Sequence, residues 1–413
     1  MIRFKTQLII LLLSLIGITS VQAQEFLSLA GSWSFQLDSL NEGEKNNWQS
    51  KQFSHQIYLP GTTDEGHYGF KTSGSDFGIL TRAYKYCGPA WYQQEIMIPR
   101  NWNSKRVYLQ LERVIWQSKV FVDGKKVSVQ DALNSPHWHD LGFLSPGKHT
   151  LAIRIDNDTI YNIGDKGHAY TEYTQSIWNG AVGKIRLVAK DKIRLSNPQL
   201  FTKVNPCILT IKDTLCNESG KKASVLLRYQ LIDRQSGDLV HSESVPYIME
   251  KGKNLLNYTA TMPRSIRLWN DISPNLYILK MEIVDKDKVR DSKEIEFGFR
   301  EVSASKSKIL LNGKPVFLRG NLDCVHFPLT GYPSCKVEDW ERIFRIYKDY
   351  GLNHVRFHSW CPPEAAFIAA NRIGIYIQAE TIWIDWWMSG PADRPEMETK
   401  GYHFGDKISL PKE

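Results

Sequence analysis

From Phe26 to Ala189 apolar and polar residues alternate in short runs: "WYQQEIMI", "RVYLQLE", "SKVFVDGKKVSV", "HTLAIRID" and "GKIRLVA". A period of two sends successive side chains to opposite faces, so each run predicts a half-buried β-strand. Asp123-Gly124 separates two such runs and predicts a hairpin, because Gly accepts the positive φ that these turns demand. Pro146-Gly147 marks a further turn. Residues 24–190 are therefore expected to form a jelly-roll β-sandwich. Residues 191–298 repeat the pattern in "ILTIKDTL", "ASVLLRYQLID", "LYILKMEIVD" and "EIEFGF". About 110 residues with some seven short strands fit an immunoglobulin-like sandwich, although the Cys…Trp…Cys core of antibody domains is absent.

After Phe299 the period changes. "KILLNGKPVFLRG" predicts an Asn312-Gly313 hairpin and then a strand ending at Arg319-Gly320. In "VEDWERIFRIYKDYG", Val337, Trp340, Ile343, Phe344 and Tyr347 form one helical stripe, and Gly351 stops it. "NHVRF" reads as the next strand. "PPEAAFIAANRIG" has Pro early and Gly374 at its end, the asymmetry of a helix. "IYIQAE" reads as a third strand. Strand–helix–strand–helix–strand with apolar strands predicts a parallel α/β sheet, here about three βα units over residues 299–413. With an unpaired third-strand edge, that segment is expected to be marginally ordered alone or to pair with something else.

The apolar strands finish in polar residues. Arg356 and His358 follow the second strand, Glu380 follows the third, and Asp323 and His326 lie just beyond the first, with Trp360 and Trp383 beside them. In βα-barrels the binding and catalytic groups sit at these strand ends. Each residue also has a structural explanation: Arg356 and Glu380 as an ion pair, His358 as a satisfied histidine, the two tryptophans as packing. A cation held by Asp323, His326, His358 and Glu380 suits these residue types, but no His-x-His or His-Glu-x-x-His spacing supports it.

Composition narrows the classes. The chain has 413 residues, 42% hydrophobic, enough for two to four domains and large cores. Residues 1–23 carry Arg3 and Lys5, an apolar stretch from Leu8 to Ile18, and a small-residue cleavage site at Val21-Gln22-Ala23, which predict a signal peptide and a secreted or periplasmic protein. Removing it takes away two cations and lowers the formal charge from +8 to +6. Lys/Arg and Asp/Glu are interspersed, so no nucleic-acid face is expected. No other apolar run approaches the length of a membrane span. Six cysteines show no zinc spacing. Cys207 with Cys216 and Cys324 with Cys335 are candidate disulfides, and six free thiols are the alternative. Oligomeric state is not indicated.

Longer motifs carry a resemblance. "GPAWYQQEIMIP", "VFVDGKKV" and "SIWNGAVGKIRLV" resemble the jelly roll of glycoside hydrolase family 2, the β-galactosidase, β-glucuronidase and β-mannosidase group. "FGFREVSASKSKILLNGKPVFLRGNLDCVHFP" resembles the start of that family's TIM barrel. "YGLNHVRFHSWCPPEAAFIAANRIGIYIQAE" resembles its second and third barrel strands. The resemblance implies carbohydrate as partner and a retaining mechanism with two glutamates about 5–5.5 Å apart. It matches Arg356 to the family's second-strand arginine and Glu380 to its third-strand carboxylate, which in some members helps hold a metal. No cofactor is required, and a divalent or monovalent cation near Glu380 is the one candidate. Neither catalytic glutamate matches a residue here, so no catalytic residue is assigned. The Asn-Glu dipeptides, Asn41-Glu42 and Asn217-Glu218, fall in the β modules. The chain is thus expected to be the front part of such a glycosidase, with a partial barrel and no activity alone. The alternative is a non-catalytic carbohydrate-binding protein using Trp91, Trp102, Trp116, Trp138 and Trp178 as stacking platforms.

Overall fold

Two antiparallel sheets face each other at the N-terminal end of the computed structural model, which describes residues 25–161, 167–171 and 174–380. The expected signal peptide and Trp383 lie outside the described residues. One sheet orders Glu25–Ser28, Gly180–Lys190, Arg106–Arg113 and His137–Gly142, with Gly61–Thr62 added to the second of these. The other orders Lys125–Gln130, Gln117–Val122, Gly147–Asp156, Pro89–Ile98, Gly31–Leu37 and His55–Leu59. Alternation decides what each strand buries: Leu109 and Leu111 meet Leu151, Ile153 and Ile155 between the sheets, all at 0% exposure. Each such side chain contributes about 1.5–3 kcal/mol. Asp123 (φ 49°) and Gly124 (φ 75°) make the expected hairpin.

Of the five tryptophans that the alternative reading offers as sugar platforms, four are core residues: Trp91, Trp102, Trp116 and Trp178 are 0, 3, 0 and 7% exposed. Trp91 faces away from the main core, but Trp48 and Phe53 cover it. Trp138 is half-buried, with the Lys190 ammonium 5.2 Å from its ring.

The second pair of sheets has Cys207–Asn217 at the centre of one layer. Gln199–Val204 and Ile193–Arg194 lie along one edge, and Gly252–Thr261 lies along the other. The opposing layer orders Leu239–Met249, Ala223–Asp233, Tyr277–Asp285 and Lys288–Phe297. Neither expected disulfide forms. Cys207 and Cys216 stand near opposite ends of one strand, about 30 Å apart at ~3.3 Å per residue, far beyond disulfide reach. Cys324 faces His358, whereas Cys335 lies beside Gly183 and Glu112.

A hairpin sheet, Val302–Ser305, Lys308–Leu311 and Lys314–Pro315, turns at Asn312 (φ 51°) and Gly313 (φ 77°) as expected. The parallel unit follows: β1 Gly320–Asp323, α1 Val337–Asp349, β2 His354–Phe357, α2 Glu364–Ile373 and β3 Tyr376–Ala379. Its register pairs Gly320 with His354 and His354 with Tyr376. The first strand therefore begins where the sequence pattern placed its end, and Asp323 closes it instead of lying beyond it. Trp340 and Phe344 of α1 and the alanines of α2 pack on Val355 and Phe357. The same core takes in Trp116, Tyr170, Trp178 and Val182 of the first sandwich. This shared core seats a sandwich loop against the strand tips. Among the described residues no helix is long and apolar enough to cross a membrane.

Candidate functional site

The C-terminal tips of β1, β2 and β3 converge, and backbone groups lock them together. The Asp323 carbonyl accepts the His358 N–H (2.9 Å) and the Trp360 indole N–H (3.2 Å). Its carboxylate Oδ1 accepts the Val325 N–H (2.8 Å). Burial pushes the Asp323 carboxyl above its ordinary pKa, against the pull of that N–H. Asp323 is a positioning residue for the β1 and β2 tips.

Arg356 donates from Nε to Glu380 Oε1, and the Ser359 N–H donates to Glu380 Oε2 (2.8 Å). Burial would raise the Glu380 pKa, but the Arg356 guanidinium and the Ser359 N–H hold it below the usual carboxylate range. The pair is partly open to solvent, with the side chains 40% and 20% exposed. Both Glu380 oxygens thus serve cationic or N–H donors. A cation beside Glu380 would have to displace or face the guanidinium, so the residues present do not fit one there.

His358 Nδ1 lies 2.9 Å from Nε2 of His168, which comes from the first sandwich, and 3.8 Å from Cys324 Sγ. The His168 N–H donates to Ser359 Oγ (3.2 Å), and its ring Nδ1 meets Gln175 Oε1. Burial holds His168 below the ordinary imidazole pKa, and His358 and His326 reinforce this. Two residues next to these ligand-like groups take left-handed backbone: Val325 (φ 62°) and Ser359 (φ 54°). Such conformations cost about 1–3 kcal/mol each and persist where the surroundings over-determine them.

The structure therefore brings together Arg356, His358, Glu380 and Asp323. His326 is exposed. Trp360 is buried under Phe327 and Phe357 (3% exposed), so its ring packs the floor of the site and offers no face to a ligand. His168, Cys324 and Ser359 were missed. His168 sits in a loop without periodicity, and Cys324 read as a disulfide partner. The two Asn-Glu dipeptides stay in the sandwiches. Glu218 pairs with Arg194 (2.9 Å) and Arg106 (3.4 Å), and the Glu42 N–H bonds Asp38 (2.8 Å).

Chemically, the tips offer a guanidinium, an ionised acceptor and an imidazole, a set that recognises hydroxyls and carboxylates. Comparison with known proteins gives two family matches: "Glycosyl hydrolases family 2, sugar binding domain" over residues 26–176 and "Glycosyl hydrolases family 2" over residues 193–300. A β-glucuronidase of Paenibacillus borealis is 21% identical over 413 residues, covering 94% of this chain and 62% of the relative. A β-galactosidase of Bacteroides ovatus is 22% identical over 376 residues, covering 89% of this chain and 42% of the relative. Among solved structures, a family 2 member from Bacteroides cellulosilyticus superposes with a TM-score of 0.70 at 20% identity, over 86% of this chain and 47% of that one. The β-glucuronidase of Bacteroides uniformis gives 0.69 at 20% identity, over 87% and 42%. The chain thus spans less than two thirds of the length of these relatives.

Proposed function

Because the chain belongs to family 2 of the glycosyl hydrolases, we propose that its strand tips form the sugar-recognising part of a secreted, retaining β-glycosidase. In this reading residues 24–190 are the jelly roll, 191–298 the immunoglobulin-like module, and 299 onward the first βα units of a TIM barrel. The observation that carries it is the Arg356–Glu380 pair at the ends of adjacent parallel strands, where barrel enzymes hold substrate. A guanidinium has five N–H donors, so the bond from Nε to Glu380 leaves donors for a sugar hydroxyl or uronate carboxylate. Glu380, kept ionised, accepts from sugar hydroxyls.

Retaining hydrolysis needs one protonated carboxyl over the leaving oxygen and one ionised carboxylate below the anomeric carbon. Arg356 ion-pairs with Glu380 and fixes it as an acceptor, which does not suit it to the acid role. The residues at these tips bind and orient, and none of them is assigned a proton-handling role. The test incubates the chain with nitrophenyl galactoside, glucuronide and mannoside. No release of nitrophenol above the buffer rate is expected. Enzymatic turnover by this chain would overturn the assignment of the tips to recognition alone.

A further inference from the structure

We propose that His168, Cys324 and His358 form a site for one zinc-class divalent cation at the seam between the first sandwich and the parallel strands. The inference goes beyond the glycosidase reading and does not depend on it. The three side chains come from three separated segments, and one ligand atom from each lies within 4.8 Å of the others. His168 Nε2 and His358 Nδ1 are 2.9 Å apart, and Cys324 Sγ is 3.8 Å from His358 Nδ1. Tetrahedral zinc, with bonds of about 2.0–2.1 Å to nitrogen and 2.3 Å to sulfur, separates its ligand atoms by roughly 3.3–3.6 Å. Shifts of a few tenths of an ångström at the imidazole pair, with a somewhat larger one at the thiol, bring the set to that spacing. One thiolate and two imidazoles suit zinc and not the oxygen-seeking calcium or magnesium.

Orientation supports the assignment. Gln175 Oε1 accepts from His168 Nδ1, so the His168 lone pair is on Nε2 and points toward His358. Zinc-binding histidines are held by such a hydrogen bond on the far nitrogen. The backbone turns at Val325 and Ser359 directly follow Cys324 and His358 and set the direction of both. His168 is 7% exposed, whereas Cys324 and His358 are half-buried, and a water would complete the fourth position. On binding, the Cys324 thiol loses its proton to solvent as the metal–sulfur bond forms. Without the cation His358 Nδ1–H donates to His168 Nε2; on binding that proton leaves to solvent and His358 takes one back on Nε2, so that both facing nitrogens donate lone pairs to the cation. The site clips the sandwich loop to the strand tips without using Arg356 or Glu380.

The test uses the full chain, stripped with a chelator and titrated with Co²⁺ as a spectroscopic probe and with Zn²⁺ by calorimetry. One equivalent is expected, with a thiolate-to-cobalt charge-transfer band that is lost in Cys324→Ser. Gln175→Ala keeps all three ligands and is expected to weaken Zn²⁺ binding about 10–100-fold. If Cys324→Ser does not fold, protection of Cys324 from alkylation by Zn²⁺ in the unaltered chain reads the same bond. Folded protein that shows no charge-transfer band and no protection overturns the proposal. So does a band that persists in folded Cys324→Ser.

Discussion

Ser118 sits between two buried histidines, 2.6 Å from His137 Nδ1 and 2.8 Å from His139 Nε2. His137 Nε2 donates to the Ala132 carbonyl (2.8 Å), so Nδ1 must accept from the Ser118 hydroxyl. Ser118 Oγ then accepts from His139 Nε2–H, and His139 Nδ1 is left as a buried lone pair with no partner among the described residues. This directional chain holds both rings neutral. Burial pushes His137 down to about 4 and His139 down to about 3. Both folded pKa values lie below the unfolded value near 6.5, so the unfolded chain binds more protons between them and stability rises with pH. Urea unfolding of the first sandwich is therefore expected to lose about 2 kcal/mol per histidine on going from neutral pH to about pH 5. His139→Phe should remove its share, and an equal acid loss in that variant would contradict the assignment. Glu380 has the opposite origin but the same sign. Its depressed pKa makes the Arg356 pair present above the ordinary Glu pKa and lost as pH falls through the folded one. At this scale the gathering of Arg356, His358 and Glu380 at the strand ends was legible because the apolar pattern shows where each strand stops, whereas their ion pair and hydrogen bonds were named only as structural alternatives. Trp360 was not legible, since an aromatic after a strand tip reads alike as platform or core. The His137–Ser118–His139 chain was invisible because it joins strands of the two opposing sheets.

Elements were legible where local chemistry decides them. Two hairpins followed from residues that tolerate positive φ, and α1 and α2 followed from an apolar stripe and a terminal glycine. The start of β1 was not legible, because a parallel strand's register is set by a partner more than 30 residues away. Asn353 explains the shift. Its side chain accepts the Arg319 N–H (2.9 Å) and donates to the Phe317 carbonyl (3.2 Å). The stretch that reads as a strand is thus tied to a side chain, and ladder pairing begins at Gly320. A Cβ at Gly320 would lie 2.3 Å from His354 Nδ1, so glycine permits that pairing. Gly374 ends α2 at φ 84°, with the Asp271 carbonyl oxygen 2.4 Å from where a Cβ would stand. Gly374→Ala is expected to destabilise the parallel unit by more than about 1 kcal/mol, read as a lower urea midpoint of tryptophan fluorescence. An unchanged midpoint would contradict this.

In the whole molecule, the parallel unit is held by both sandwiches. The first shares its core. The second donates the Trp269 indole N–H to the Asn371 carbonyl (2.7 Å) and pairs Glu296 with Arg372 (2.9 Å). These contacts tie the segment to both sandwiches among the described residues, and no local signal in the sequence names those partners. Trp340→Ala is expected to cost about 3–5 kcal/mol. It should speed hydrogen exchange at Val355 together with residues 174–182. Faster exchange at Val355 alone would show that the two packings are not one core. The same packing delivers His168 to strand tips encoded almost 200 residues later. The most direct test of the central claim is a calorimetric titration of the folded chain with galactose, glucuronate and mannose, repeated on Arg356→Ala. The account predicts saturable binding of at least one of the three, weakened about 10–100-fold in the variant by loss of a charge-assisted hydrogen bond. Flat isotherms for all three with folded protein, or binding that Arg356→Ala leaves intact, would contradict it.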